Sequence, residues 1–363
     1  KNIMTICILG NNLTALTLAK ALTNQNIYVD ILFSKKNLDI SKTRTLGISK
    51  SNIDFFNKHI SNINKILWEI KKIQILTANH KVEDIIKFQN IKSNLFCIIQ
   101  NYKIFKQLNF ELKKSKFINF KKEMSYQNLI KLDYNLIINC DFNNQITKKF
   151  FARSLNKKYN STAYITVINH KKLPTNNTAI QIFTDKGPLA FLPISETKTS
   201  IVYSEKNAKS RKKININNLI HKFNPRYEIL KINKFSKFDL ESANLRKYFN
   251  KNILAFGDLL HKIHPLAGQG FNMSIRDIKD LIEIIDNKIL LGLPLDKTVC
   301  KEFEIKTKSK NFLFSTGVDL IYEFFNFESK IQSNLVNSTV KIIGKNKLLN
   351  EYFKKFADKG LEI

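Results

Sequence analysis

Glycine, proline, arginine and tryptophan are all scarce in this chain: of 363 residues, 10 are glycine, 6 are proline and 1 is tryptophan. So little glycine and proline excludes collagen-like and linker-rich architectures. It also makes the few places where glycines gather informative, because glycine lets backbone turn through positive φ or approach a ligand closely. Only six of the 60 basic residues are arginine: Arg44, Arg153, Arg211, Arg226, Arg246 and Arg276. Readers of nucleic acid use arginine forks and aromatic platforms, and neither is evident. The net charge of +30 therefore does not point to nucleic acid. Lysine, asparagine and isoleucine share AT-rich codons, and compositional drift accounts for their excess. The surplus lysine still favours an anionic membrane face.

Cysteine is sparse too. Cys7, Cys97, Cys140 and Cys300 stand far apart with no C-x-x-C spacing, which excludes a zinc ribbon or a redox pair. Cys7 and Cys140 lie in apolar runs and are expected to be buried free thiols, as suits a reducing cytoplasm. No apolar run reaches the roughly 18 residues of a spanning helix, and no secretory leader is seen before the first strand. A soluble or peripheral protein is expected.

With 43% hydrophobic residues the chain can bury a proper core, and its length suits two intimately joined domains. Ile3 to Leu9 reads as a buried strand ended by Gly10. Helical spacing follows from Leu13, then a second strand, Ile27 to Phe33: a βαβ opening. Further strands are expected at Leu95–Ile99, Phe117–Phe120 and Leu136–Cys140, with a helix from Tyr102 to Leu112. The middle differs. Short strands at Ser161–Ile168, Ala179–Phe183, Leu189–Pro193 and Thr199–Ser204 suggest an antiparallel sheet. The βα style returns with strand Ile253–Phe256 and a helix whose apolar face is Ile275, Ile278, Leu281, Ile282 and Ile285. The lysine-rich stretch Lys206–Lys213 reads as a solvated loop, and the tail after Gly292 as amphipathic helix. Trp68, Phe55-Phe56 and Phe324-Phe325 read as core. The segment Phe312–Phe327 reads either as helix packing or as a surface facing lipid or a partner.

Two turns carry chemistry. In the first, Gly10-Asn11-Asn12-Leu13-Thr14-Ala15, a dinucleotide turn would show G-x-G-x-x-G, whose glycines admit a pyrophosphate to a helix N-terminus. Here Asn12 stands at the second glycine and Ala15 at the third. The acid expected at the end of the second strand for a ribose is Phe33, and Asp30 is expected to face elsewhere. The second turn runs from Gly257-Asp258 through His264-Pro265-Leu266-Ala267-Gly268-Gln269-Gly270-Phe271-Asn272, between a strand and a helix. Three of the ten glycines fall there. Asp258 at a strand's carboxyl end can accept hydrogen bonds from ligand hydroxyls, and Gly268 and Gly270 leave backbone N–H groups open at a helix N-terminus. His261 and His264 sit three apart, but no third ligand is at hand and no metal site is expected.

The second turn resembles the GD motif of class A flavoprotein monooxygenases, the p-hydroxybenzoate hydroxylase-like group. With Arg276-Asp277 following, it is most similar to the ubiquinone-biosynthesis FAD-dependent hydroxylases. Arg44-Thr45-Leu46-Gly47-Ile48 resembles the family's arginine-led segment, and Gly187-Pro188-Leu189-Ala190-Phe191-Leu192-Pro193 its strand over the flavin. Asp141 stands where the family has an Asp-Gly pair, with Phe142 in place of the glycine.

The resemblance implies a Rossmann-like FAD-binding domain (1–75, 95–152 and 245–292) interrupted by an antiparallel β-sheet substrate domain (76–94 and 153–244), with a helical C-terminal region (293–363). It implies FAD contacts from Gly10, Arg44, Asp141, Gly257, Asp258, Gly268, Gly270 and Asn272. Pro265, Gly268, Gln269 and Gly270 would line the flavin ring, and Leu192, Pro193 and His264 would lie on the substrate side. The implied activity is hydroxylation of a lipid-like (polyprenyl) phenolic ring by O2, with NADH or NADPH as reductant, through a flavin C4a-hydroperoxide. It would take place in the bacterial cytoplasm, on the inner face of the cytoplasmic membrane, alongside partners of a quinone-biosynthesis complex. The departures at Asn12, Phe33 and Phe142 keep open a second reading, a non-catalytic homologue acting as a binding or assembly component of such a complex.

Overall fold

The computed structural model describes residues 5–34, 40–77, 86–89, 96–184, 186–206, 215–263 and 269–328. His264, Pro265, Gly268, the lysine-rich stretch from 207 onward and the tail beyond 328 lie outside the described residues.

Short apolar runs build the first sheet. Its order is Phe249–Asn250, Ile253–Ala255, Leu136–Asn139, Thr5–Leu9, Tyr28–Phe33 and Ile118–Lys122. All neighbours run parallel except the two-residue edge strand. The runs Thr5–Leu9, Leu136–Asn139 and Ile253–Ala255 are almost wholly buried, as strands covered by helices on both faces must be. The opening helix Leu13–Asn24 crosses from the first strand to the second and buries Ala15, Leu16, Leu18, Ala19 and Leu22. Against it lie helix Asn101–Lys113, which buries Ile104, Leu108 and Leu112 at four-residue spacing, and the long helix Gln269–Leu290.

Asp30 is the one acid inside the second strand, 4% exposed. Burial pushes its carboxyl up, but hydrogen bonds from Lys121, Tyr134 and Asn119 outweigh that and hold it below the ordinary carboxylate range. It faces away from the strand's end, as expected, and is committed to holding the Ile118–Lys122 strand.

The second sheet has nine strands, centred on the 17-residue strand Ser154–His170, which pairs antiparallel with Lys198–Lys206 and Ser236–Leu245. Thr178–Thr184 and Gly187–Ser195 extend it antiparallel. Then Lys72–Thr77 joins Thr178–Thr184 in parallel. That strand lies wholly in the second sheet, so the division expected at residue 75 falls ahead of residue 72 in the sheet pairing. His261–Lys262 also crosses over, to pair with Ser236–Leu245. A third, antiparallel sheet of Thr45–Ser49, Phe96–Gln100 and Leu67–Ile70 shares an apolar layer with the second sheet: Ile70, Ile98, Val167, Ala179 and Ile194. Trp68 packs on that layer and its indole N–H donates to the Asn176 carbonyl at 2.7 Å.

A tail helix, Lys297–Glu328, packs Val299, Cys300 and Phe303 into the main core and Phe314 and Val318 against Met273 and Ile263. All four cysteines are buried free thiols.

Candidate functional site

Three parallel strands that lie side by side end at the same edge. Their ends are locked by backbone hydrogen bonds: Gly10 N–H to Leu32, Cys140 N–H to Leu9 and Phe256 N–H to Asn139. Just past these ends stand Gly10, Asp141 and the pair Gly257-Asp258. The sheet's strand order reverses at Thr5–Leu9, and in open parallel sheets ligands bind outside the carboxyl ends at such a point.

The glycines are required here. Gly10 has φ +98°, and a Cβ on it would come within 3.2 Å of the Asp141 Cβ. Gly257 has φ +66°, and a Cβ would meet the Thr14 methyl at 2.7 Å. The structure thus brings together two turns that lie about 250 residues apart in sequence. Burial first, and then the Asp258 and Asp141 carboxylates, push the Cys140 thiol up. Asp258 is exposed and free to meet a ligand. Asp141 is half-buried: its carboxylate caps the next turn by accepting from Asn143 N–H at 2.9 Å.

Asn12 behaves unlike a glycine. Its Oδ1 accepts from Ala15 N–H at 3.0 Å, and its Nδ2 donates to the Cys140 carbonyl at 2.7 Å. The side chain thereby caps the opening helix and ties it to the neighbouring strand. The N–H groups of Leu13 and Thr14 belong to the helix's first turn, which has no intrahelical acceptors. Phe33 tilts against Phe120 with ring centroids 6.3 Å apart. Phe142, just past the end of strand Leu136–Asn139, is 44% exposed.

Beside these ends lies a cavity of about 420 Å³ walled by Leu9, Ser34, Glu123, Met124, Tyr126 and Asn143. That volume lies within the roughly 300–1,000 Å³ of small-molecule sites. Sequence reasoning missed this wall, because residues 122–126 carry no motif; only their place after a parallel strand marks them.

The remaining expected residues are distributed as follows. Arg44 is exposed, just ahead of strand Thr45–Ser49, and its carbonyl accepts from Asn101 N–H. Gln269 and Gly270 open the long helix and are half-buried, so their N–H groups belong to its unpaired first turn. The Asn272 amide is fully spent: Oδ1 accepts from Ser49 N–H and Asn52 Nδ2, while Nδ2 donates to the Gly47 carbonyl. Its side chain positions the Arg44-led strand against the helix. Leu192 packs in the layer between the second and third sheets, and Pro193 is buried. The His261 imidazole is buried against Asp277, at 2.5 Å.

A glycine-lined strand edge, an exposed acid and an adjoining cavity together fit a dinucleotide such as FAD. Comparison with known proteins agrees. Residues 168–289 match the FAD binding domain family. The fold is shared across nearly the whole chain with p-nitrophenol 4-monooxygenase of Pseudomonas putida (TM-score 0.77, 12% identity, 99% of each chain). It is also shared with Klebsiella pneumoniae HpxO, whose structure holds FAD and uric acid (TM-score 0.74, 10% identity, 99% of this chain and 98% of that one). The fold is therefore that of the flavin-dependent monooxygenases.

In sequence, the chain is similar to hydroxylases of ubiquinone biosynthesis. It is 31% identical over 153 residues to 3-demethoxyubiquinol 3-hydroxylase of Escherichia coli, covering 40% of this chain and 39% of that protein. A mitochondrial ubiquinone biosynthesis monooxygenase of Xenopus tropicalis is 23% identical, over 54% of this chain and 51% of that one. In these matches the chain spans about half the length of its curated relatives or less. A Dictyostelium discoideum relative of the same description matches at 22% identity over 94% of this chain and 88% of its own.

Proposed function

We propose that this protein binds FAD noncovalently and hydroxylates the aromatic ring of a phenolic, lipid-like precursor of ubiquinone, using O2 and a nicotinamide nucleotide. The observation that carries this reading is the convergence of Gly10, Asp141, Gly257 and Asp258 at three adjacent strand ends.

Bound FAD would supply the electron transfer and oxygen activation that side chains cannot. The chain's own residues bind, orient and shield. Gly10 and the Leu13 and Thr14 N–H groups would face the pyrophosphate, and Asp258 would accept from ribityl hydroxyls. The N–H groups at the start of the long helix would favour negative charge on the flavin ring. Asn272 keeps the Arg44-led strand seated so that Arg44 can reach the cofactor's phosphate or ribityl region. The second sheet would cover the ring and exclude water from the reacting face. Kinship with ubiquinone hydroxylases supports the substrate class, and the lysine-rich surface supports reversible attachment to an anionic membrane face.

The test is the visible spectrum of protein saturated with FAD and then desalted. A yellow protein is expected, and Asp258→Ala should weaken FAD binding by about 1.5–3 kcal/mol while circular dichroism stays native. Wild-type protein that stays colourless at saturating FAD would overturn the reading and leave the non-catalytic assembly role.

A further inference from the structure

The acid expected at the end of the second strand is missing, but a carboxylate stands one strand away. We propose that Glu123 accepts the hydroxyls of the adenosine ribose of bound FAD, in place of an acid at position 33. This inference rests on the FAD reading above.

The register fixes where Glu123 lies. Tyr28–Phe33 and Ile118–Lys122 run parallel, with Phe33 opposite Lys122. Glu123 is the next residue, and its N–H donates to the Phe33 carbonyl at 3.0 Å. Its Cα therefore sits beside the end of the second strand, at the spacing of neighbouring strands, about 4.8 Å. Glu123, Ser34, Leu9 and Asn143 share the wall of the 420 Å³ cavity. Phe33, by contrast, packs on Phe120 and the main core.

The chemistry points the same way. Glu123 is half-buried, and among the described residues its carboxylate has no hydrogen-bond or ion-pair partner. Desolvation, and then the like charge of Asp141, push its carboxyl up. Lys122 lines the same cavity but its side chain is exposed. A carboxylate so placed lacks donors, and a vicinal diol supplies two O–H donors at the spacing of its two oxygens. A cation would serve less well, because among the described residues no third acid, histidine or cysteine completes a metal site.

The experiment titrates the full chain with FAD and, separately, with FMN, which lacks the adenosine half, following flavin fluorescence. Glu123→Ala should weaken FAD binding by about tenfold or more, the loss expected for a hydrogen bond to a charged acceptor. Glu123→Gln, whose amide oxygen still accepts, should fall between, and FMN affinity should be the same in all three proteins. Phe33→Glu added to Glu123→Ala should recover FAD affinity, which a merely structural role for Glu123 would not allow. FAD affinity unchanged in Glu123→Ala, or FAD and FMN weakened alike, would overturn this assignment while the FAD reading stood. Wild-type protein that bound neither flavin would take down the FAD reading, and this inference with it.

Discussion

Phe142 illustrates how one side chain can separate two functions of a site. A glycine after Asp141, as the family resemblance implies, would let backbone approach a cofactor, and a phenyl ring there adds apolar bulk. Its ring is 44% exposed, and the turn around it is held independently of the ring: Asp141 accepts from Asn143 N–H, and Thr147 Oγ1 donates to the Asp141 carbonyl. Truncation should therefore leave the turn intact. On the proposed binding mode, FAD would keep contacts at Gly10, Asp258 and the long helix. A nicotinamide nucleotide, without those contacts, has less to hold it. The expected outcome is that Phe142→Gly speeds anaerobic bleaching of the flavin at 450 nm by NADH or NADPH, with FAD affinity within about twofold of wild type (a change below about 0.5 kcal/mol). Equal rates in the two proteins would clear Phe142 and shift attention to Asn12 and Phe33.

Among the elements, the one whose seating matters most to the site is the long helix, and a buried network sets it. His261 follows the Asp258 turn, and its Nε2 meets Asp277 Oδ2 at 2.5 Å; Asp277 Oδ1 accepts from Asn311 Nδ2 of the tail helix at 2.9 Å. One acid thus joins the strand after the turn, the long helix and the tail helix, with His261 and Asp277 each 1% exposed. Removing one partner of a buried pair leaves the other unpaired and costs about 3–5 kcal/mol. Asp277→Ala is expected to lower the urea midpoint accordingly, and Asn311→Ala by about 1 kcal/mol. A midpoint within error of wild type for Asp277→Ala would mean the network is replaced by water. None of this was legible in the sequence, where Asp277 read only as part of a motif and His261 as half of a doubtful metal pair. What could be read was local. The apolar run Leu136–Cys140 announced a strand, and the gathering of three glycines after Ile253–Phe256 announced a turn, whose φ of +66° at Gly257 only the structure gives. Lys72–Thr77 could not be assigned to a sheet, since its apolar pattern fits either, and only long-range pairing with Thr178–Thr184 decides. The third sheet, whose strands come from three distant segments, was hidden for the same reason.

At the scale of the whole molecule, charge and shape bear on where the protein works. No described helix is long and apolar enough to cross a membrane. Yet the tail helix has two apolar faces. Phe303, Phe314 and Val318 are buried, while Ile305 (71%), Phe312 (45%), Leu313 (47%) and Leu320 (62%) face outward. From Ile305 to Leu320 the exposed stripe runs about 22 Å at 1.5 Å per residue, a length suited to lying on a lipid surface. Leu290, the last residue of the long helix, and Leu291 just after it are 81% and 73% exposed. The net charge of +30 adds long-range attraction to anionic headgroups, which is screened within about 10 Å at 0.1 M salt and about 3 Å at 1 M. The two contributions separate in a flotation assay with anionic and neutral vesicles at low and high salt. Binding to anionic vesicles at low salt is expected, weakened but not abolished at high salt, because apolar burial is not screened. Replacing Phe312 and Leu313 together by serine should remove the salt-resistant part and leave the salt-sensitive part. Protein absent from both vesicle types at low salt would reject membrane attachment, and binding that vanished wholly at high salt would leave charge alone as its cause.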